Sequence, residues 1–408
     1  MTTCRAVLVP FLLAAGLAHF VAACTVRDPL YCDENTPCTA PGRPFCDLNG
    51  DHPASEGVGR TCIPEPSADD GSGEDQDAGH EQVDAGSGDP DGSTSTDPVA
   101  RCPAGLAFVT QRDGNVEIYI SEADGSNPIN LTQSPDVDDQ SPDWSPDGTR
   151  IAFVRDSAIW SMNASGGDVV QLTTDSRDSN PRWSPDGTRI AFVRRPASGG
   201  SAIWVVDPAG GEPSQLTTTG VLLADPWSPD GKKLTFAAEA GASSDIFTID
   251  RDGSAQTNLT NSAADDIAPI WSPDGQQVLF ASGSQGNYDV RVLYVDGRPP
   301  RNLTNLVGSV QESVFTPNGS KIIFVVEADG GSDSHLYAMD NDGSDQQQIT
   351  FAAARVDDPT VSPDGARVAW SQTDPKTVRD VYVADPDGTD AVRVTTDSGD
   401  DPAWQPCR

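Results

Sequence analysis

An acidic residue stands ahead of each copy of a recurring Trp-Ser-Pro-Asp-Gly segment: Asp139, Asp178, Asp225, Asp266, Glu312, Asp358 and Asp401. At equivalent points of a radial fold, these carboxyl groups would form a ring around one mouth of its channel. Like charges so placed repel unless solvated or neutralised, so the ring could hold a cation such as calcium, or a basic protein segment. The alternative is that each acid caps its own turn through the backbone. Other catalytic chemistry is scarce. There is no GxSxG and no His beside a plausible nucleophile, which excludes a serine hydrolase, and no P-loop or GxGxxG joins a strand to a helix. Of the four histidines, His19 lies in an apolar leader and only His335 lies in the repeats, too few for His-rich metal chemistry. Segments such as Asp250 to Gly253 resemble half a calcium loop but lack its bidentate Glu, and read as turns. No catalytic residue is assigned, and no cofactor is expected beyond that calcium.

The eight cysteines are the second set. Cys32, Cys38, Cys46 and Cys62 fall in a polar stretch too short to build a core, so two disulfides would have to hold it together. Three connectivities are open. A zinc site is the competing idea, but the CxxC knuckle is missing and His52 stands alone.

Arg5, the apolar run 6–23 and the small residues Ala22 and Ala23 before Cys24 have the layout of an export signal. Val21-Ala22-Ala23-Cys24 resembles the bacterial lipobox. That resemblance implies cleavage before Cys24 and a diacylglycerol on its thiol, and Thr25 in place of Asp implies sorting to the outer membrane. Pro10 and His19 argue against a retained membrane helix. An oxidising, exported setting follows, which suits disulfides.

The elements that must carry the acidic positions are repeats. WSPDG begins at Trp144, Trp183, Trp227 and Trp271, with FTPNG at Phe315, VSPDG at Val361 and a truncated WQP at Trp404, at spacings of 39, 44, 44, 44, 46 and 43. A period near 44 filled with short strands is the mark of a propeller blade. SPDG should close a hairpin, with Pro at i+1 and Gly at positive φ. An alternating strand follows, as in RIAFVR at 150–155, where Ile151 and Phe153 share one face. A third strand (DIFTID at 245–250), an Asp-Gly or Gly-Gly turn and an outer strand ending in Leu-Thr complete each unit. Gly (38) and Pro (33) and a hydrophobic share of 36% suit such a turn-rich β protein. Residues 63–100 hold eleven Asp or Glu and no Lys or Arg, and read as an extended acidic tether. A net charge of −36 argues against a nucleic-acid partner.

The PxWSPDGxxIAF…DIYxxDxDG…LT pattern resembles the WD-like repeats of TolB-type β-propellers over about three quarters of the chain. Two departures stand out. A Cys-rich module and tether replace the α/β domain that precedes TolB propellers, and seven blades are counted where those usually have six. The first repeat, Leu106 to Thr132, lacks its opening strand, and the chain ends with that strand at 400–406. The expected fold is therefore all-β: a seven-bladed propeller of four-stranded blades closed by pairing of the N- and C-terminal strands. The expected layout is signal 1–23, lipidated Cys-rich module 24–62, linker 63–100 and propeller 101–408. Aligned on WSPDGTRIAF, Cys102 and Cys407 both fall at the Asp147 position, so a disulfide between them should replace the missing turn. Together these readings describe a monomeric, non-enzymatic, lipid-anchored scaffold that binds envelope proteins at a propeller face. The alternatives are a glycan- or small-ligand-binding propeller, or a polysaccharide lyase or hydrolase with converging carboxyl groups about 5–10 Å apart.

Overall fold

The computed structural model describes Phe45, Cys46, Cys62, Ile63 and residues 105–407, apart from 175, 176, 198, 219, 220, 223–225, 285, 307, 329, 330, 332 and 375–377. The chain divides into two compact units, Met1–Thr94 and Ser95–Arg408. In the first, Phe45–Cys46 pairs antiparallel with Cys62–Ile63, which sets Cys46 opposite Cys62. The leader, Cys24, Cys32, Cys38, Cys102 and the acidic segment 64–100 lie outside the described residues.

In the second unit every described element is a strand, and the strands form seven four-stranded antiparallel meanders. Blade 1 runs from its inner strand Asp139–Trp144 through Arg150–Arg155 and Ala158–Asn163 to the outer Val170–Gln171. The inner strands of blades 2 to 6 are Asp178–Trp183, Val221–Leu222, Asp265–Trp271, Ser309–Phe315 and Arg355–Val361. Blade 7 joins the two ends of the propeller: Asp400–Trp404 is its inner strand, followed in the sheet by Leu106–Thr110, Glu117–Ser121 and Ile129–Asn130. The closure follows the register that the repeats imply, with Leu106 opposite Trp404 and the Gln405 N–H donating to the Gly105 carbonyl at 2.8 Å.

Hydrophobic burial holds the ring at its seams. Each second strand is buried on both faces: Ile151 and Phe153 pack on Ala107 and Val109 of blade 7, while Ala152 and Val154 pack on Ile190 and Phe192 of blade 2. The same clustering recurs at all seven seams. One large aromatic stands at the Phe153 position of every blade, namely Phe108, Phe153, Phe192, Phe236, Phe280, Phe324 and Trp370, none more than 2% exposed. The simple alternation of the sequence understates this burial, because the second face is carried by small residues such as Ala152, Ala191 and Ala369.

In such a meander, the SPDG and DxDG turns lie on one face of the disc. The crossovers between blades and the loops between second and third strands lie on the other. These are called here the turn face and the loop face.

Candidate functional site

The repeated motifs are used up in building blades. In blade 1 the Ser145 hydroxyl donates to Asp147 Oδ1 at 2.7 Å, and so does the Thr149 N–H at 3.0 Å. These bonds hold the Asp147 carboxyl below its usual range. Gly148 takes φ +63°, which a side chain there would resist. The DxDG segments are turns too: Asp252 accepts from the Ser254 N–H at 2.9 Å, and Gly253 donates to Asp250 at 2.8 Å. The Leu-Thr ending has one task in all blades. The threonine hydroxyl accepts the N–H of the third-strand residue fourteen positions earlier, from Thr132 with Ile118 to Thr395 with Val381, at 2.9–3.1 Å.

The seven acidic positions do not form one ring, because they are not equivalent. Asp139, Asp178 and Asp266 lie five residues before the blade's Trp, at the start of the inner strand, and are at most 1% exposed. Asp139 accepts two bonds from Arg155, at 2.7 and 2.8 Å, and Asp178 two from Arg194, at 2.6 and 2.8 Å. Each arginine in turn covers aromatic rings, Arg155 over Phe153 and Trp160, and Arg194 over Phe192 and Trp204. Asp266 accepts from the Ser262 hydroxyl at 2.9 Å. These three are internal braces. Asp225 lies outside the described residues.

Glu312, Asp358 and Asp401 do share a position, three residues before Phe315, Val361 and Trp404 on three successive inner strands. A bulge interrupts the ladder there; the residue at this point has positive φ in Ser141, Asn180, Ala268, Asp358 and Asp401. The bulge turns the position out of the blade, toward the neighbouring inner strands. Glu312 of blade 5 accepts the Asp358 N–H of blade 6 at 2.8 Å, and the Asp401 carboxyl of blade 7 faces the Ser141 N–H of blade 1. Glu312 and Asp401 therefore cap the next blade's bulge, not their own turns, whereas Asp358 is held by Arg379 and the Asp401 N–H donates to Asp400 of its own strand at 2.9 Å. Arg379, the first residue of the third strand of blade 6, completes the cluster. It donates to Asp357 at 3.0 Å, to Asp358, and across the seam to Asp400 at 2.5 Å; Ser371 also donates to Asp400, at 2.8 Å. The guanidinium supplies the positive charge that such a group of carboxyls needs. Burial first, and then the neighbouring acids, raises Asp358 to about 8 and lifts Glu312 and Asp401 above their usual range.

Sequence reasoning missed Arg155, Arg194, Arg379, Asp357 and Asp400. Two of them carried a signal, since a hairpin closed by SPDG sets Asp139 opposite Arg155 and Asp178 opposite Arg194. On the turn face, a shallow cleft of about 420 Å³ separates the turns of blades 1 and 2, lined by Pro146, Asp147, Arg150, Trp183, Pro185 and Asp186. Both of its carboxyls are already engaged by their own turns.

Seven four-stranded blades, closed by strands from both ends and carrying no helix among the described residues, define a β-propeller. A sequence profile of the TolB beta propeller domain matches residues 99–260 and 179–408, and the chain belongs to that family. Among solved structures it is similar to TolB from Acinetobacter baumannii, with 20% identity over 74% of this chain and 67% of that one and a TM-score of 0.50. It is similar also to an oligogalacturonate lyase from Vibrio parahaemolyticus, with 16% identity over 69% and 86% of the two chains and a TM-score of 0.58. A third likeness is to the β-propeller domain of the Trilobed protease from Pyrococcus furiosus, with 15% identity over 72% and 95% and a TM-score of 0.55. That propeller is described as having an open velcro topology, whereas here the terminal strands pair. These likenesses are of fold. No curated protein sequence matches the chain.

Proposed function

We propose that this protein is a non-enzymatic scaffold of the cell envelope, anchored by lipid at Cys24 and binding another protein through the loop face of its propeller. The observation that carries the reading is the placement of Phe351 and Val378. Phe351 is 76% exposed, more than any other large hydrophobic among the described residues, and lies in the crossover from blade 5 to blade 6. Val378, 51% exposed, lies in the loop of blade 6 that leads into Arg379. An exposed aromatic and an aliphatic residue thus share the loop face of two adjoining blades, the face on which the inner strands that carry Asp358 and Asp401 begin. Isolated exposed apolar residues are ordinary. An aromatic on the same face as a group of acids suits a partner segment that offers an apolar side chain flanked by Lys or Arg.

A second reading, a glycan-acting propeller, draws on the carboxyls that converge beside the axis, where a protonated acid next to a carboxylate is the arrangement that glycoside cleavage uses. Arg379 stands among those groups and is tied to three of them, which favours the scaffold.

A photo-crosslinking residue at position 351, with one at Lys232 on the turn face as control, tests the proposal in cells. Capture of one species from 351 and not from 232, lost when Val378 is also changed to Ser, is expected. Equal capture from both faces, or binding of the purified species that survives Phe351→Ser with Val378→Ser, overturns it. Palmitate labelling of the wild type and not of Cys24→Ser tests the anchor.

A further inference from the structure

We propose that Glu312, Asp358 and Asp401, gathered with Asp400 around Arg379, form a proton-dependent clamp on the C-terminal strand Asp400–Trp404, the strand that closes the ring. With a proton held in the cluster the strand is fastened; without it, repulsion between the carboxylates loosens that strand first.

The geometry singles out this strand. Like the other inner strands, Asp400–Trp404 has ladder partners on one side only, here Leu106–Thr110, with the pairing interrupted between Ala107 and Val109; unlike them, it joins its blade from the other end of the chain, with no turn leading into the second strand. Its first two residues are the acids of the cluster. Asp400 is held to blade 6 by Arg379 and Ser371, while Asp401 lies against the Ser141 N–H of blade 1. The charge balance is lopsided. The groups that face Asp358 and Asp401 are Glu312 from blade 5, Asp357 and Arg379 from blade 6, Asp400 from blade 7 itself, and Arg182 from blade 2. Arg355, at 3.5 Å from Asp357, adds one more cation at the rim. Five carboxyls thus meet three arginines. One retained proton brings the sum closer to balance, and the half-buried setting makes each uncompensated charge costly.

The direction of the pH dependence follows from linkage. The folded state holds Asp358 at about 8 and Asp401 above its usual range; release of the strand returns Asp401 to its usual value and takes the Asp400 and Asp401 charges away from Asp358, which lowers that group as well. A group raised on folding contributes stability that is complete below the unfolded value and is lost as pH climbs through the folded one. The loss therefore falls below about pH 8, as pH climbs from the opened-state value toward the folded one. One linked proton allows up to about a tenfold rise in the opening equilibrium per pH unit in that window, hence up to about a hundredfold from pH 6 to pH 8. The turn aspartates, lowered by their own hydrogen bonds, are ionised throughout this range and contribute no slope.

Hydrogen exchange of the full-length protein at constant ionic strength, from pH 6 to pH 9 and corrected for intrinsic rates, tests the clamp. The amides of 400–404 are expected to lose protection on going from pH 6 to pH 8, while those of Ser244–Asp250 in blade 3 do not. Asp358→Asn, neutral at every pH and well suited to the φ of +53° at this position, is expected to flatten the profile. Should that variant fail to fold, Glu312→Gln serves, and is expected to reduce the slope. Protection of 400–404 that is flat with pH in the wild type, or a fall that persists unchanged in either variant, overturns the proposal.

Discussion

Thr395→Val asks how much of the blade's stability the Leu-Thr ending carries. The substitution keeps the side-chain shape and removes one hydroxyl at a fully buried position. That hydroxyl accepts the Val381 N–H at 2.9 Å and donates to Asp380 Oδ1 at 2.9 Å. Valine leaves a buried amide without a partner, which costs about 1–3 kcal/mol, and takes a donor from a buried carboxyl, worth about 1.5–3 kcal/mol where the acceptor is charged. Asp380 keeps Arg393, so the second cost falls at the lower end. The sum is about 2.5–4.5 kcal/mol. Blade 1 provides the control. Thr173 accepts the Ile159 N–H at 2.9 Å and is 1% exposed, but the residue at the Asp380 position is Ala158. Thr173→Val should therefore lose only the amide's partner, about 1–3 kcal/mol, and so about 1.5 kcal/mol less than Thr395→Val.

Guanidinium unfolding followed by tryptophan fluorescence, with the slope checked for constancy, gives both values. A double-mutant cycle of Thr395→Val with Asp380→Asn should return a coupling of about 1.5 kcal/mol. If the two threonine variants lose the same stability to within about 0.5 kcal/mol, the carboxyl adds nothing and the reasoning fails. If both lose less than that, the repeated threonine is not a brace at all.

The remaining predictions concern the turns, the internal braces and the closure. Gly148→Ala should cost more than Gly187→Ala, about 2 against about 1 kcal/mol, since both glycines have positive φ but a Cβ at Gly148 would meet the Pro406 carbonyl oxygen at 3.0 Å, against 3.6 Å to Pro146 at Gly187. Thermal unfolding of the two variants side by side checks the order. Arg155→Met should cost about 3–5 kcal/mol by stranding the buried Asp139, whereas Arg189→Met, in a pair that is 41% and 51% exposed, should cost less than about 1 kcal/mol in the same denaturant assay. Cys407 is disulfide-bonded, and Cys102 is the partner we propose for it. Non-reducing peptide mapping should recover the two in one peptide, and their pairing would stabilise the ring by up to about 5–6 kcal/mol on the chain-entropy argument. Either cysteine found joined to the 32–62 module would refute that pairing.

The fold was legible because its punctuation repeats. SPDG needs a proline at one turn position and a glycine at positive φ in another, and few backbones other than a hairpin satisfy both. Stacking the copies shows the missing strand of the first repeat and the orphan strand at 400–406, and the ring closure follows. Even the turn stacking extends through the closure: Gly187, Gly275 and Gly319 each lie over the proline of the preceding turn, and Gly148 lies over Pro406. The acidic positions were not legible in the same way. A bulge in the inner strand separates the residue five before the Trp from the residue three before it, so carboxyls that look equivalent along the chain point to different places. The bulge leaves little trace in residue type, since Ser141 and Ala268 adopt its positive φ as well as Asn180, Asp358 and Asp401. Averaging the repeats therefore reveals the scaffold and conceals the cluster. At the bulge, blades 1, 2 and 4 carry Ser141, Asn180 and Ala268, while blades 5, 6 and 7 carry Glu312, Asp358 and Asp401. Arg379 has no counterpart in the blades on either side, where Ser334 and Val116 precede the third-strand residues His335 and Glu117. What distinguishes one arc of this ring from the other is written in these departures from the repeat, and one of them, Asp401, falls on the strand that closes it.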